Sequence, residues 1–94
     1  MKIPVKFSSH AKEKMLSRNV KISDVFATIK TPDNVYEDVE HGTFIAIKKV
    51  NGNSIILAYK IENKGAKVIT LFYTTKLDKL VKTKLARGAW KKQK

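Results

Sequence analysis

The chain has no cysteine and only two histidines. Without a thiol there are no disulfides, thiolate zinc sites or cysteine nucleophiles, which fits an intracellular, cytoplasmic protein. Two isolated histidines with no partnered carboxylate form no recognisable zinc motif. The four glycines make no phosphate-cradling loop, and acidic residues 37, 38 and 40 alternate poorly for magnesium, so neither metal nor cofactor is expected. Long apolar runs are also missing. "MKIPVKFSSH" is interrupted by Pro4 and Lys6 and reads as neither signal peptide nor membrane span. No later stretch approaches the roughly 20 apolar residues a membrane helix needs. Acidic residues are the remaining scarcity: 8 Asp and Glu stand against 20 Lys and Arg, a net charge of +12.

That charge sits at the two ends. Residues 1–31 carry seven basic and two acidic side chains, residues 32–62 three and five, and residues 63–94 ten and one. Such a field favours a polyanion, most simply nucleic acid or ribosomal RNA, with RNA or the ribosome as the expected partner. The bland alternative is compositional, because all but two of the basic residues, Arg18 and Arg87, are lysine.

Ninety-four residues, 43% of them hydrophobic, allow one domain with one compact core. "KIPVKF" (2–7) predicts a short strand, which Pro4 assigns to a sheet edge. Ser9 offers an N-cap for a helix to about Arg18, with Ala11, Met15 and Leu16 as its apolar side. Ser23 caps a second helix, "DVFATIK", with Val25, Phe26 and Ile29 inward, and Pro32 ends it. From Asn34 the apolar period changes to two. Strands are predicted at 34–40, 43–50, 54–62 and 66–74, joined by compact turns containing "HG", "NGN" and "NKG" into an antiparallel meander. Thr75 and Asp78 then form a capping box for a helix burying Leu77, Leu80, Val81 and Leu85, with Gly88 as its stop. The expected class is α+β, order β-α-α-β-β-β-β-α, with the helices covering a curved sheet.

Two groups of residues could carry chemistry. His10 lies in the first turn of the first helix, where free backbone N–H groups can hold a phosphate and an imidazole can take a proton. Together with Lys14 and Arg18, whose guanidinium grips phosphate in a fork, it would suit attack of an RNA 2′-hydroxyl on its own phosphate. A solvated histidine and an Arg18 salt bridge to Glu37, Asp38 or Glu40 are the plainer readings. Tyr59, Lys60, Thr70 and Tyr73 share the central strands; Tyr73, at a strand end, is the better candidate to complete a site, with Lys48 and Lys49 as further cations. His41, beside Gly42, reads as a solvated turn residue rather than an acid paired with His10. The last helix shows Lys76, Lys79, Lys82 and Arg87 opposite its leucines, followed by Trp90 in "RGAWKKQK", which suits either base stacking or a tryptophan folded onto the core. Lys84 falls between Leu77 and Leu80, so it must snorkel or reach into a cleft.

The opening "FSSHAKEKMLSRNVKISDV" resembles an uncharacterised small-domain family of archaea and bacteria that begins S-x-H-A-x-x-[RK]-M-x-x-R, followed by [IV]-S. His10, Ala11, Lys14, Met15, Arg18 and Ser23 fall on that pattern, and "KVITLFYTT" is similar to its last strand. That family is itself distantly similar to toxins of the RelE, ParE and HigB type. The resemblance implies a RelE-like fold across 1–94, with a basic helix and tail at 75–94. It also implies a metal-independent endoribonuclease; taken with the reading of the residues above, His10, Arg18 and Tyr73 are expected to be catalytic and Lys14, Lys48, Lys49, Lys60, Lys79, Lys82, Arg87 and Trp90 to bind. An antitoxin partner goes with that reading. A non-catalytic nucleic-acid-binding module and a ParE-like protein-binding toxin are the alternatives.

Overall fold

The computed structural model describes residues 4–63 and 65–93. Three helices cover a six-stranded mixed sheet of spatial order β1-β5-β4-β3-β2-β6. The expected meander forms its centre: β2 (Asn34–Asp38), β3 (Thr43–Val50), β4 (Asn53–Glu62) and β5 (Gly65–Thr74) pair antiparallel in sequence. Between β3 and β4 the turn is only Asn51 and Gly52, both at positive φ (45° and 83°), the conformation that matches strand twist in a two-residue hairpin.

The sheet is not wholly antiparallel. β1 (Val5–Phe7) lies at the edge, as Pro4 suggested, but runs parallel to β5. Residues 2 and 3 of the expected strand, and Lys64 of the "NKG" turn, lie outside the described residues. Gly65 opens β5 because a Cβ there would stand 2.5 Å from the Pro4 carbonyl oxygen, which accepts the Ala66 N–H. At the other edge a sixth strand, β6 (Trp90–Gln93), pairs antiparallel with β2, where a basic tail was expected. It places Lys91 opposite Glu37, a cross-strand pair of opposite charge.

One helical layer covers each face. α1 (Ser9–Ser17) and α2 (Ile22–Lys30) pack over Ala46, Ile55, Leu57, Val68 and Leu71. α3 (Leu77–Ala86) packs through Leu77, Leu80 and Val81 over Ile45, Ile47, Ile56 and Phe72. Leu16, Phe26 and Leu85, expected inside, are exposed, Leu16 at 85%. α1 and α2 present narrower stripes, Ala11–Met15 and Val25–Thr28–Ile29, and Leu16 and Phe26 fall outside them.

The caps also differ from expectation. Ser8, not Ser9, caps α1: its hydroxyl accepts the Ala11 N–H (3.0 Å) and donates to the Ile69 carbonyl (2.8 Å). Ile69 is the extra residue of a bulge, since Ala58 pairs with Thr70 and Tyr59 with Val68, and Ser8 satisfies the carbonyl it displaces. Lys21, not Ser23, is the N-cap of α2, and Lys76, not Thr75, that of α3; neither offers a side-chain cap.

Candidate functional site

The first candidate constellation is divided along α1. Ser8 anchors the helix start beside Val68 and Ile69, while at the other end the Lys21 N–H donates to the Tyr73 hydroxyl (3.2 Å). His10 and Arg18 are eight residues apart on this helix, about 12 Å along its axis. Both are exposed and Lys14 is half-buried. Tyr73 therefore lies near the Arg18 end and away from His10. Its hydroxyl donates to Asp24 Oδ2 (2.7 Å) while accepting from Lys21, so it acts as the missing cap of α2. Burial raises the Tyr73 phenol above its ordinary value; the Asp24 bond and charge add to this and the Lys21 N–H opposes it. A phenol held this way is a poor proton donor to a substrate.

The remaining cations divide in the same manner. Lys48 is structural: its Nζ donates to the Thr31 carbonyl at the end of α2 (2.8 Å) and lies 3.9 Å from Asp33. The Lys49 side chain is exposed beside Lys76 and Lys79 at the start of α3, and Lys82 is exposed farther along it. Arg87 pairs with Glu40 at 3.3 Å. Among the described residues, Lys48 and Arg87 are the only Lys or Arg side chains within 4.0 Å of a carboxylate, so most of the positive charge is uncompensated locally.

Lys60 belongs to an alignment the sequence did not reveal. It stands opposite Lys67, which stands opposite Lys6, making a lysine row across β4, β5 and β1. Directly opposed like charges destabilise a sheet, so the row is an electrostatic liability without an anion. It lies one pleat beyond Ala58 on the face that α3 covers.

Ala58 lines a hollow of about 350 Å³ under the C-terminal half of α3. The hollow exists because the helix supplies Lys84 there instead of another leucine, and the strands beneath supply small side chains at Thr43, Ala58 and Thr70. The bulge adds Ile69 to the wall, and Ile45, Ile56, Phe72 and Leu80 complete its apolar part. Lys84 thus reaches the cleft its wheel position required, with its Nζ 6.0 Å from the Trp90 ring centroid. Trp90 is 5% exposed and stacks on Tyr36 at 5.5 Å, so it is folded into the core rather than carried on a tail.

Asp38 and His41 stand at the rim. Asp38, its side chain 10% exposed, accepts the N–H groups of Glu40 and His41 on Oδ1 (both 3.1 Å). Its Oδ2 lies 2.9 Å from His41 Nδ1. Burial pushes the Asp38 carboxyl upward, but the hydrogen bonds and charge from His41 and the Glu40 N–H outweigh it and hold it below its ordinary value. An ionised carboxylate can only accept, so Nδ1–H donates to it and Nε2 stays outside that bond. His41 is solvated, as expected of a turn histidine beside Gly42, its side chain 69% exposed, and Asp38 fixes the orientation of its ring. Asp38, Glu40 and His41 also bring donor atoms within 4.8 Å of one another, so His41, expected to lack a partnered carboxylate, has one. Each is already engaged, by backbone N–H groups, Arg87 or its neighbour. The sequence signal for the pair was "DVEHG", a short polar residue three before a histidine in a tight turn.

These features define a small basic α+β domain with a helix-roofed hollow beside a lysine row. The chain belongs to the family described as a domain of unknown function, DUF4258, which it matches over residues 7–73. That span includes Asp38, His41 and Thr43 and stops before α3 and β6, which close the hollow. No curated protein and no solved structure matches the chain.

Proposed function

We propose that the protein is a metal-independent endoribonuclease of the toxin type, similar to RelE, ParE and HigB proteins, acting on single-stranded RNA. The observation that supports this best is His41, held by a nearly buried carboxylate, at the rim of a hollow with Lys84 and next to the lysine row. His41 Nε2 would take the proton of a ribose 2′-hydroxyl. The freed oxygen then attacks the adjacent phosphorus as the P–O5′ bond breaks, leaving a 2′,3′-cyclic phosphate, while the departing 5′-oxygen takes a proton from solvent. Lys84 would balance charge on the phosphate, and Lys60, Lys67 and Lys6 would hold the backbone. A positioned base contributes about 10²–10⁴-fold to such a step. His41→Ala should therefore reduce cleavage by about that factor in EDTA, with cyclic-phosphate ends in the wild-type product. An antitoxin that covers this face is the partner the reading calls for.

The second reading keeps His10 as base with Arg18 and Lys14. What favours it is the exposure of His10 and Arg18 at the two ends of α1, with Lys14 half-buried between them. Cleavage that survives His41→Ala and disappears with His10→Ala would transfer the role. Salt-sensitive RNA binding with no cleavage by any variant would leave a non-catalytic binding module.

A further inference from the structure

At the end of the sheet opposite the lysine row, Lys49, Ser54 and Thr74 stand side by side on β3, β4 and β5. They follow Ile47, Ile56 and Phe72 by one pleat, on the face that α3 covers. The chain leaves β5 through Thr75 and Lys76 and turns directly into α3. The row and the first turn of the helix frame a pocket of about 380 Å³, lined by Lys49, Ser54, Thr74, Lys76, Asp78 and Lys79. Two sets of donors there are unmet. α3 has no side-chain cap, and among the described residues the N–H groups of Leu77, Asp78 and Lys79 have no partner. Ser54 is 6% exposed, yet its hydroxyl makes no hydrogen bond among the described residues. That hydroxyl opens into the pocket, unlike the sealed one of Thr43. An almost buried hydroxyl without a partner is costly. The Thr74 hydroxyl accepts the Lys76 N–H (3.0 Å) and keeps its own proton to donate. Three lysines against the Asp78 carboxylate leave two positive charges, and the helix dipole adds to them. A phosphate monoester, largely a dianion above neutral pH with three terminal oxygens, matches both the charge and the donors. A carboxylate brings half that charge and fewer acceptors.

We propose that the pocket at the start of α3 binds a phosphate monoester. The N–H groups of Leu77, Asp78 and Lys79 and the Ser54 and Thr74 hydroxyls meet its oxygens, and Lys49, Lys76 and Lys79 balance its charge. The volume exceeds that of the phosphate alone and leaves room for the group that carries it, the end of an RNA strand or a free nucleotide. The site is distinct from the His41 rim, which lies near Thr43 at the other end of β3, about 20 Å along the strand. Its phosphate is held and not broken, so the proposal stands whether or not the protein cleaves RNA.

The isotope-labelled full chain is titrated above neutral pH, at constant ionic strength, with inorganic phosphate, uridine monophosphate and uridine, and followed by amide NMR. Saturable shifts at Leu77, Asp78 and Lys79 with phosphate and the nucleotide, and none with uridine, are the expected result. Ser54→Ala should weaken that binding about tenfold, because it removes a hydrogen bond to a charged group. Lys79→Gln, at an exposed helix position, should weaken it too and keeps the test decisive if Ser54→Ala does not fold. Lys12→Gln removes equal charge from α1 on the other face and should leave it unchanged. Shifts spread over the lysines of both faces, or equal affinities in wild type and both pocket variants, would reduce the effect to general charge attraction and overturn the site. An RNA with a terminal phosphate that binds more tightly than its hydroxyl-ended counterpart, by the factor Ser54→Ala removes, identifies the strand end as the source. Equal binding of the two RNAs beside a response to phosphate identifies a free nucleotide. Phosphate binding by a protein that cleaves no RNA keeps this site and ends the ribonuclease reading. RNA cleavage without any response to phosphate does the opposite.

Discussion

Replacing Thr43 by valine should stabilise this protein. Thr43 sits on β3 at 5% exposure, its hydroxyl oxygen buried without a partner. Leaving such a group unpaired costs about 1–3 kcal/mol, and valine fills nearly the same space with similar strand preference. The variant should therefore gain about 1–2 kcal/mol in unfolding free energy. For a domain of this size each kcal/mol corresponds to about 4–8 °C in Tm. Urea titration and thermal melting followed by far-UV circular dichroism measure both quantities, and an unchanged m-value would show that the unfolded state is not responsible. A fall in stability of about 1 kcal/mol or more would mean that the hydroxyl is satisfied in the folded protein.

Three other outcomes follow from the same geometry. Tyr73→Phe removes the bond to Asp24 and the cap on the Lys21 N–H, and should cost about 1–2 kcal/mol in a urea titration, allowing for partial exposure; no loss would deny the strut role. The folded-state value of Asp38 is below its ordinary 3.8, so its contribution is present above that pH and lost as pH falls through the lowered folded value. Asp38→Asn should flatten that acid limb in melts between pH 5 and 2, and an unchanged limb would count against the His41 bond. Lys67→Gln relieves repulsion from Lys60 and Lys6, so it should raise stability by a few tenths of a kcal/mol. It should also lower the salt slope of single-stranded RNA binding by about 0.7, and an unchanged slope would remove the row from the interface.

The architecture was legible where local chemistry was strong. Alternating apolar residues with "HG" and "NGN" turns defined the meander, and Gly88 at φ 74° ends the last helix region as expected. The parallel docking of β1 and the sixth strand were not legible. Three to four residues with little alternation carry no period, and both depend on partners distant in sequence: Pro4 against Gly65, and Trp90–Gln93 against β2. The caps missed by one or two residues; at α2 a tertiary bond replaced the local one, Tyr73 serving it from 49 residues beyond Asp24.

Site residues were legible as chemical types but not as a constellation. Arg18, Lys14 and His10 are in sequence proximity, which a helix converts into separation along its axis. Lys6, Lys60 and Lys67 are scattered in sequence and aligned by register. Only the wheel position of Lys84 pointed toward the hollow, because a cation amid leucines demands an opening.

Incubating the purified full chain with single-stranded RNA in EDTA, and comparing it with His41→Ala and His10→Ala, probes the proposed chemistry most directly. Cyclic-phosphate products from wild type and His10→Ala, reduced about 10²–10⁴-fold by His41→Ala, are what the rim geometry leads to. Full cleavage by folded His41→Ala would remove the oriented histidine from the chemistry.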